Sequence, residues 1–158
     1  MSKRIGLERS TADFPVRSLP PNIRLGSLPA PDVLAPVMLA AYVGTPDYEG
    51  ETLKETVSEL REVLQGKYGA VITTASFAAY DGDAPVAAII TVTEDDNPMV
   101  ALVFTFPGYA GKGIASALLS QAATKLHDAG YPVIGLAVNF ENTRAARLYE
   151  YLGFIDAE

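Results

Sequence analysis

Between Phe106 and Ile114 the chain reads Pro107-Gly108-Tyr109-Ala110-Gly111-Lys112-Gly113. An apolar run from Met99 to Phe106 precedes this turn, and Ile114, Leu118, Leu119, Ala122 and Leu126 follow it at helical spacing. A strand therefore ends in a glycine-rich turn that opens a helix. The start of a helix carries free N–H groups and the positive end of its dipole. Gly111 and Gly113 leave the backbone bare for close approach. This is chemistry suited to a phosphate or diphosphate. Two common phosphate loops do not fit. Gly108 and Gly113 have the glycine spacing of a Walker A loop, but Ile114 and Ala115 stand where Lys and Ser/Thr belong. Gly111 and Gly113 open a dinucleotide fingerprint, but Ser116 replaces its third glycine.

Other chemistries are excluded by residue type. The chain has no cysteine, so a disulfide scaffold, a thiolate metal site and a cysteine nucleophile are ruled out. Its one histidine, His127, cannot build a multi-histidine metal site, and it sits at the far end of its helix from the glycine turn. No metal is expected. The net charge is −7, although residues 1–24 hold five cations (Lys3, Arg4, Arg9, Arg17, Arg24) against two acids. An acidic body repels phosphate backbones and anionic membranes, so neither nucleic acid nor membrane is an expected partner; a cationic small substrate is mildly favoured. The basic start leads into no apolar leader segment, and the apolar stretch Val33–Gly44 is broken by Pro36 and too short to span a bilayer. A cytoplasmic protein is the expectation.

The elements that must position the turn follow from periodicity. With 158 residues and 49% hydrophobic side chains, one domain with a full core fits. Residues 1–22, with Pro15, Pro20 and Pro21, read as an irregular arm, and 23–158 as the domain. A short strand covers 23–28 and a helix 31–43. Thr52 and Glu55 have capping-box spacing, and Leu53, Val57, Leu60 and Leu64 then mark one face of a helix ended by Gly66. That helix exposes Glu51, Glu55, Glu59 and Glu62. Three strand-like runs follow at 71–80, 86–93 and 99–106, joined by short turns that imply antiparallel neighbours. After the helix that follows the glycine turn come a strand at 133–138 and a last helix that Asn142 can cap and Gly153 can end. The order β-α-α-β-β-β-α-β-α gives a mixed α/β sheet, antiparallel first, with one strand–helix–strand crossover making the central pair parallel.

Two segments then carry a family resemblance. Val103 to Leu119 is similar to motif A of the GNAT acetyltransferase superfamily, whose core pattern is [RQ]-x-x-G-x-[GA]. Gly113 and Ala115 match, and Ala110 departs. Leu136-x-Val138-x-x-x-Asn142-x-x-Ala145-x-x-Leu148-Tyr149-x-x-x-Gly153-Phe154 resembles motif B throughout. The resemblance implies acetyl-coenzyme A as donor and a sheet splayed between the strands ending at Phe106 and Val138. The pantetheine arm would lie in the splay along Val103, Phe104 and Thr105. The backbone of Gly111, Lys112, Gly113, Ile114, Ala115 and Ser116 would hold the diphosphate, with Asn142 bonding the arm. Thr105 N–H would stabilise charge on the thioester carbonyl oxygen, and Tyr149 would act as general acid toward the leaving thiolate. Lys112 is a candidate to replace the side chain lost at Ala110.

The resemblance also places the acceptor pocket at the connection between the first two helices, with Tyr42, Asp47, Tyr48, Glu49 and Glu51. Aromatics beside acids suit an ammonium group, so the expected acceptor is a primary amine of a small molecule or peptide. A general base is not readable. Glu94, Asp95 and Asp96, or a water chain, are candidates, although such an acidic run also makes a solvated turn. The rival reading is a non-catalytic acyl-coenzyme A binding domain, or a subunit active only in a complex. Members of the family usually close the sheet with two strands after the Gly-Phe pair, and only four residues follow Phe154 here, so that C-terminal hairpin is shortened. The strand at 133–138 then has an edge that the first 22 residues or a second chain, in a homodimer, must cover.

Overall fold

The computed structural model describes residues 4–157. One mixed sheet runs through it in the order β2-β4-β5-β6-β7-β1-β8, with β3 pairing the far end of β5. The strands are β1 (Arg4–Ser10), β2 (Ile23–Gly26), β3 (Ala70–Val71), β4 (Phe77–Asp81), β5 (Ala84–Glu94), β6 (Asn97–Thr105), β7 (Val133–Asn139) and β8 (Ile155–Asp156). The helices are α1 (Pro31–Tyr42), α2 (Leu53–Leu64), α3 (Ile114–Asp128) and α4 (Thr143–Tyr151). Every pairing is antiparallel except β6 with β7. The α/β class and the crossover are those the periodicity predicts.

The sheet is covered on both faces. On β5, Ala87 and Ile89 join α3 residues Leu118, Leu119 and Ala122 in one core. Ala88, Ile90 and Val92 join Leu34, Leu60 and Val63 of α1 and α2 in the other. Period-2 alternation sends neighbours to opposite faces, so the apolar run of β5 is buried on both. α2 starts with the predicted capping box: Thr52 Oγ1 accepts Glu55 N–H at 3.1 Å, and Glu55 Oε1 accepts Thr52 N–H at 2.9 Å.

Two differences from the sequence reading have physical causes. The run at 71–80 is not one strand. Ser76 Oγ donates to Ile72 O at 2.9 Å and accepts Thr91 N–H at 2.9 Å, so a side chain takes a backbone partner's place and the run breaks into β3, a 3-10 turn at Thr73–Ala75 and β4. The first 22 residues are not irregular throughout. Residues 4–10 form β1, which pairs along all of β7 from Arg4↔Asn139 to Ser10↔Val133. Only Ile5 and Leu7 alternate inward there, too short a pattern to read without the partner strand. This strand covers the β7 edge. At the other end β8 spans two residues and pairs with β1.

Past β1 the arm wraps the α3–α4 side. Phe14 meets Phe154 edge-to-face at 6.1 Å. The Arg9 guanidinium stacks 4.5 Å from the Phe14 ring centre and donates to Leu152 O at 2.6 Å.

β6 and β7 are paired only at Met99↔Gly135 and Val100↔Leu136. At this junction a Cβ on Gly135 would lie 2.6 Å from Met99 Sδ. Gly135→Val therefore overfills a strand held on both sides. It is expected to lower stability by about 1–3 kcal/mol, read as the urea midpoint; an unchanged midpoint would show that Met99 moves aside freely.

Candidate active site

Beyond the two paired positions, β6 and β7 diverge. A register shift between Ile90 and Thr91 leaves Ala101 as an extra residue on β6, and such a bulge bends its strand. Phe106 N–H donates to Val86 O at 2.8 Å. By strand alternation Phe104 also faces β5, and its ring is buried 6.3 Å from that of Tyr42. Val103 and Thr105 turn their N–H and C=O the other way, toward the gap left by β7. Of the three residues expected along the splay, two therefore face it and Phe104 faces away.

The gap leads into a cavity of about 700 Å³. Val103, Val138, Asn142 and Tyr149 line it, together with Tyr42, Asp47, Glu49 and Glu51. The structure thus brings the two groups of expected residues together around one space. Thr105 and the glycine turn lie outside its lining. Tyr48 is also absent from the wall; its hydroxyl donates to Glu51 O at 3.2 Å and braces the loop. Glu94 lines the cavity, while Asp95 and Asp96 take positive φ angles of 51° and 66° in the β5–β6 turn. His127 lies against the N-terminal arm, its Nδ1 3.3 Å from Thr11 Oγ1.

α4 carries the central side chains. Asn142 caps it by accepting Ala145 N–H at 3.2 Å, a bond worth about 1 kcal/mol. Its Nδ2 donates to Asp47 Oδ2 at 3.0 Å, and Asp47 Oδ1 accepts from Arg4 Nη2 at 3.2 Å. The loop between α1 and α2 is in this way tied to β1 and α4 through one carboxylate. Tyr149 is 9% exposed and packs edge-to-face on Phe154 at 5.9 Å. Among the described residues its hydroxyl has no hydrogen-bond partner. No fully enclosed side-chain N or O there lacks one, so this hydroxyl opens on the cavity it lines.

Burial, reinforced by the Asp47 charge and opposed by Arg4, pushes the Tyr149 phenol up to about 12. Burial, with Tyr149 and Asp47 nearby, raises Tyr42 as well. Both phenols stay protonated at neutral pH. In the unfolded chain a phenol titrates near pH 10. Between that pH and the folded values the unfolded chain binds fewer protons, so stability falls as pH rises. The urea midpoint is expected to be insensitive to Tyr149 below about pH 9. Above about pH 10 it should decline, with Tyr149 contributing up to about 1.4 kcal/mol per pH unit. Tyr149→Phe should decline less steeply; equal slopes would contradict the assignment.

At the glycine turn, Gly113 is the N-cap of α3 with φ 80° and no side-chain cap. Ala117 N–H is bonded to Gly113 O at 3.0 Å, so the preceding N–H groups of Ile114, Ala115 and Ser116 have no acceptor within the helix. Lys112 is exposed beside them. Arg144 was missed by sequence reasoning. Its Nη2 lies 3.8 Å from where a Cβ on Gly111 would be, placing a guanidinium beside the turn whose motif lacks one at Ala110.

Residues 45–154 match the Acetyltransferase (GNAT) family. An uncharacterized N-acetyltransferase of Mycobacterium tuberculosis is 28% identical over 127 residues, 80% of this chain and 74% of that protein. A GCN5-related N-acetyltransferase from Sphaerobacter thermophilus superposes with a TM-score of 0.74 at 17% identity, over 98% of this chain. The chain spans 48% of that protein's length. A PaiA N-acetyltransferase from Thermoplasma acidophilum, solved with coenzyme A, gives a TM-score of 0.64 at 18% identity, over 84% of this chain and 89% of that one. With the family matched across most of its length and the fold shared, the chain belongs to the GNAT acetyltransferase family.

Proposed function

We propose that this protein is an acetyl-coenzyme A-dependent N-acetyltransferase acting on a primary amine. The observation that carries the reading is the opening between β6 and β7, with the unpartnered Tyr149 hydroxyl at its wall. The residues present fit the donor. Val103 and Thr105 turn backbone donors and acceptors into the gap, where an amide-bearing arm can pair with them. The open N–H groups at the start of α3, with Arg144 and Lys112 close by, suit its diphosphate. Acetyl-coenzyme A supplies an activated thioester.

The protein's own residues position and move protons. Val103, the gap-facing β6 residue in the cavity wall with Tyr149, offers its N–H to the carbonyl oxygen as negative charge grows there, and Thr105, outside that wall, pairs with the arm further along β6. Tyr149 holds a proton at its Oη for the departing sulfur. Glu94 in the cavity wall, without a cationic partner among the described residues, is an acceptor for the proton that an ammonium sheds before it attacks. The amine attacks the thioester directly in this reading; an acyl-cysteine intermediate is excluded because the chain has no cysteine.

Calorimetry with acetyl-coenzyme A, ATP and NAD tests the donor. Binding of acetyl-coenzyme A alone is expected, and no binding of it would end the reading. Thiol release over a panel of amines tests turnover. Tight binding without release on any amine would favour a non-catalytic acyl-coenzyme A binding domain.

A further inference from the structure

The cavity wall is strongly one-signed. Asp47, Glu49, Glu51, Glu55, Glu59 and Glu94 line it, with Arg4 as the lining cation among the described residues. Arg4 pairs with Asp47 at 3.2 Å, and Lys67 pairs with Glu59 at 3.1 Å. Among the described residues Glu49, Glu51, Glu55 and Glu94 have no cationic partner. Lys54 and Arg61 lie on the same helix as Glu55 and are absent from the wall. Hydrogen bonds from Thr52 hold the Glu55 carboxyl below the usual range, so it keeps its charge. An acidic surface that served only solubility would not sort acids into one cavity and the cations of the same helix away from it. A second observation points to a ligand there: Tyr149, nine-tenths buried, opens its unpartnered hydroxyl on the same space.

We infer that the acceptor is a linear polycation, an aliphatic amine with at least two ammonium groups. The inference rests on reading this cavity as the acceptor site. One nitrogen lies near Asp47 and Tyr149 and is acetylated. A second stays an ammonium, held by Glu51, Glu55 and Glu94. In the transfer, the near ammonium first loses one proton to a wall carboxylate. Its lone pair forms the N–C bond to the acetyl carbonyl carbon as the C–S bond breaks. The sulfur leaves with the bonding pair and takes the Tyr149 Oη proton. The nitrogen's second proton returns to the phenolate. The product amide has one positive charge fewer, which loosens the hold of the wall and favours release.

The test is calorimetric titration of spermidine and of n-butylamine into the full chain, with and without coenzyme A, at low and high salt. Spermidine is expected to bind at least about tenfold tighter than n-butylamine, with an advantage that shrinks as salt screens the carboxylates. Glu55→Gln combined with Glu94→Gln should reduce that advantage at least about tenfold; Gln at 55 still accepts Thr52 N–H, so the helix cap survives. Equal binding of the two amines, or an advantage untouched by salt, overturns the inference. The salt arm decides on the unaltered chain even where the double variant does not fold. These amine titrations stand apart from the donor reading. A protein that binds spermidine but no coenzyme A loses the transferase reading and keeps the polycation site. One that acetylates n-butylamine as well as spermidine, and binds them equally, loses only the polycation.

Discussion

Replacing Tyr149 by phenylalanine is expected to lower kcat for acetyl transfer by about 100-fold or more, with the KM for acetyl-coenzyme A nearly unchanged. The substitution removes one oxygen and keeps the ring, so the edge-to-face contact with Phe154 at 5.9 Å remains. What disappears is a proton held at the cavity wall by a phenol that burial pushes up to about 12. Tyr42 is the nearby phenol that raises concern about substitution of roles, since its titration responds to Tyr149. The Tyr42→Phe/Tyr149→Phe pair resolves this: a further drop beyond the single variant would assign Tyr42 the residual activity. The departing sulfur provides a sharper readout. An acetyl thioester whose thiol has a low pKa needs no proton on leaving, so the variant should recover most of its rate with such a donor. Equal turnover by wild type and Tyr149→Phe on acetyl-coenzyme A would remove the hydroxyl from the reaction.

How far the sequence alone reaches is visible in particular residues. The strand–glycine–helix turn, the Thr52–Glu55 capping box and the Asn142 cap are local patterns, and local physics decides them. Helical spacing alone set Tyr149 on the inner face of α4, one turn before Gly153, as a core residue would be; only the resemblance to motif B marked it for chemistry. β1 was not legible. Its two inward residues, Ile5 and Leu7, make sense only against β7, more than a hundred residues away. The same distance hid the Arg4–Asp47–Asn142 link, whose members come from β1, the α1–α2 loop and the cap of α4. Arg144 escaped for another reason. A basic residue in the first turn of a helix opposes the dipole and reads as a surface residue until the fold sets Gly111 beside it. Glu94 read as part of a turn, and the β-hairpin geometry separated it from Asp95 and Asp96, whose positive φ angles form the turn itself.

Gly113→Val is expected to weaken binding of acetyl-coenzyme A by about 100-fold or more, the loss of two charge-assisted hydrogen bonds. The residue sits at φ 80° and ψ 11°, in the left-handed region. A β-branched side chain there costs about 1–3 kcal/mol. The chain can relieve that strain only by rotating the peptide groups that present the first N–H groups of α3. A Cβ at this position meets no atom within 4 Å, so the protein itself offers no clash and the strain is conformational. Gly113→Asn tests this, because asparagine tolerates the left-handed region: it should lose less affinity than valine. Acetyl-pantetheine, which has no diphosphate, is the control ligand. Its binding through Val103 and Thr105 should be nearly the same in wild type and both variants. If Gly113→Val weakens acetyl-pantetheine as strongly as acetyl-coenzyme A, the turn supports the fold of the opening instead of holding the diphosphate. If it weakens neither, the anion lies elsewhere, and the pair Arg144 and Lys112 would be the next place to look for it.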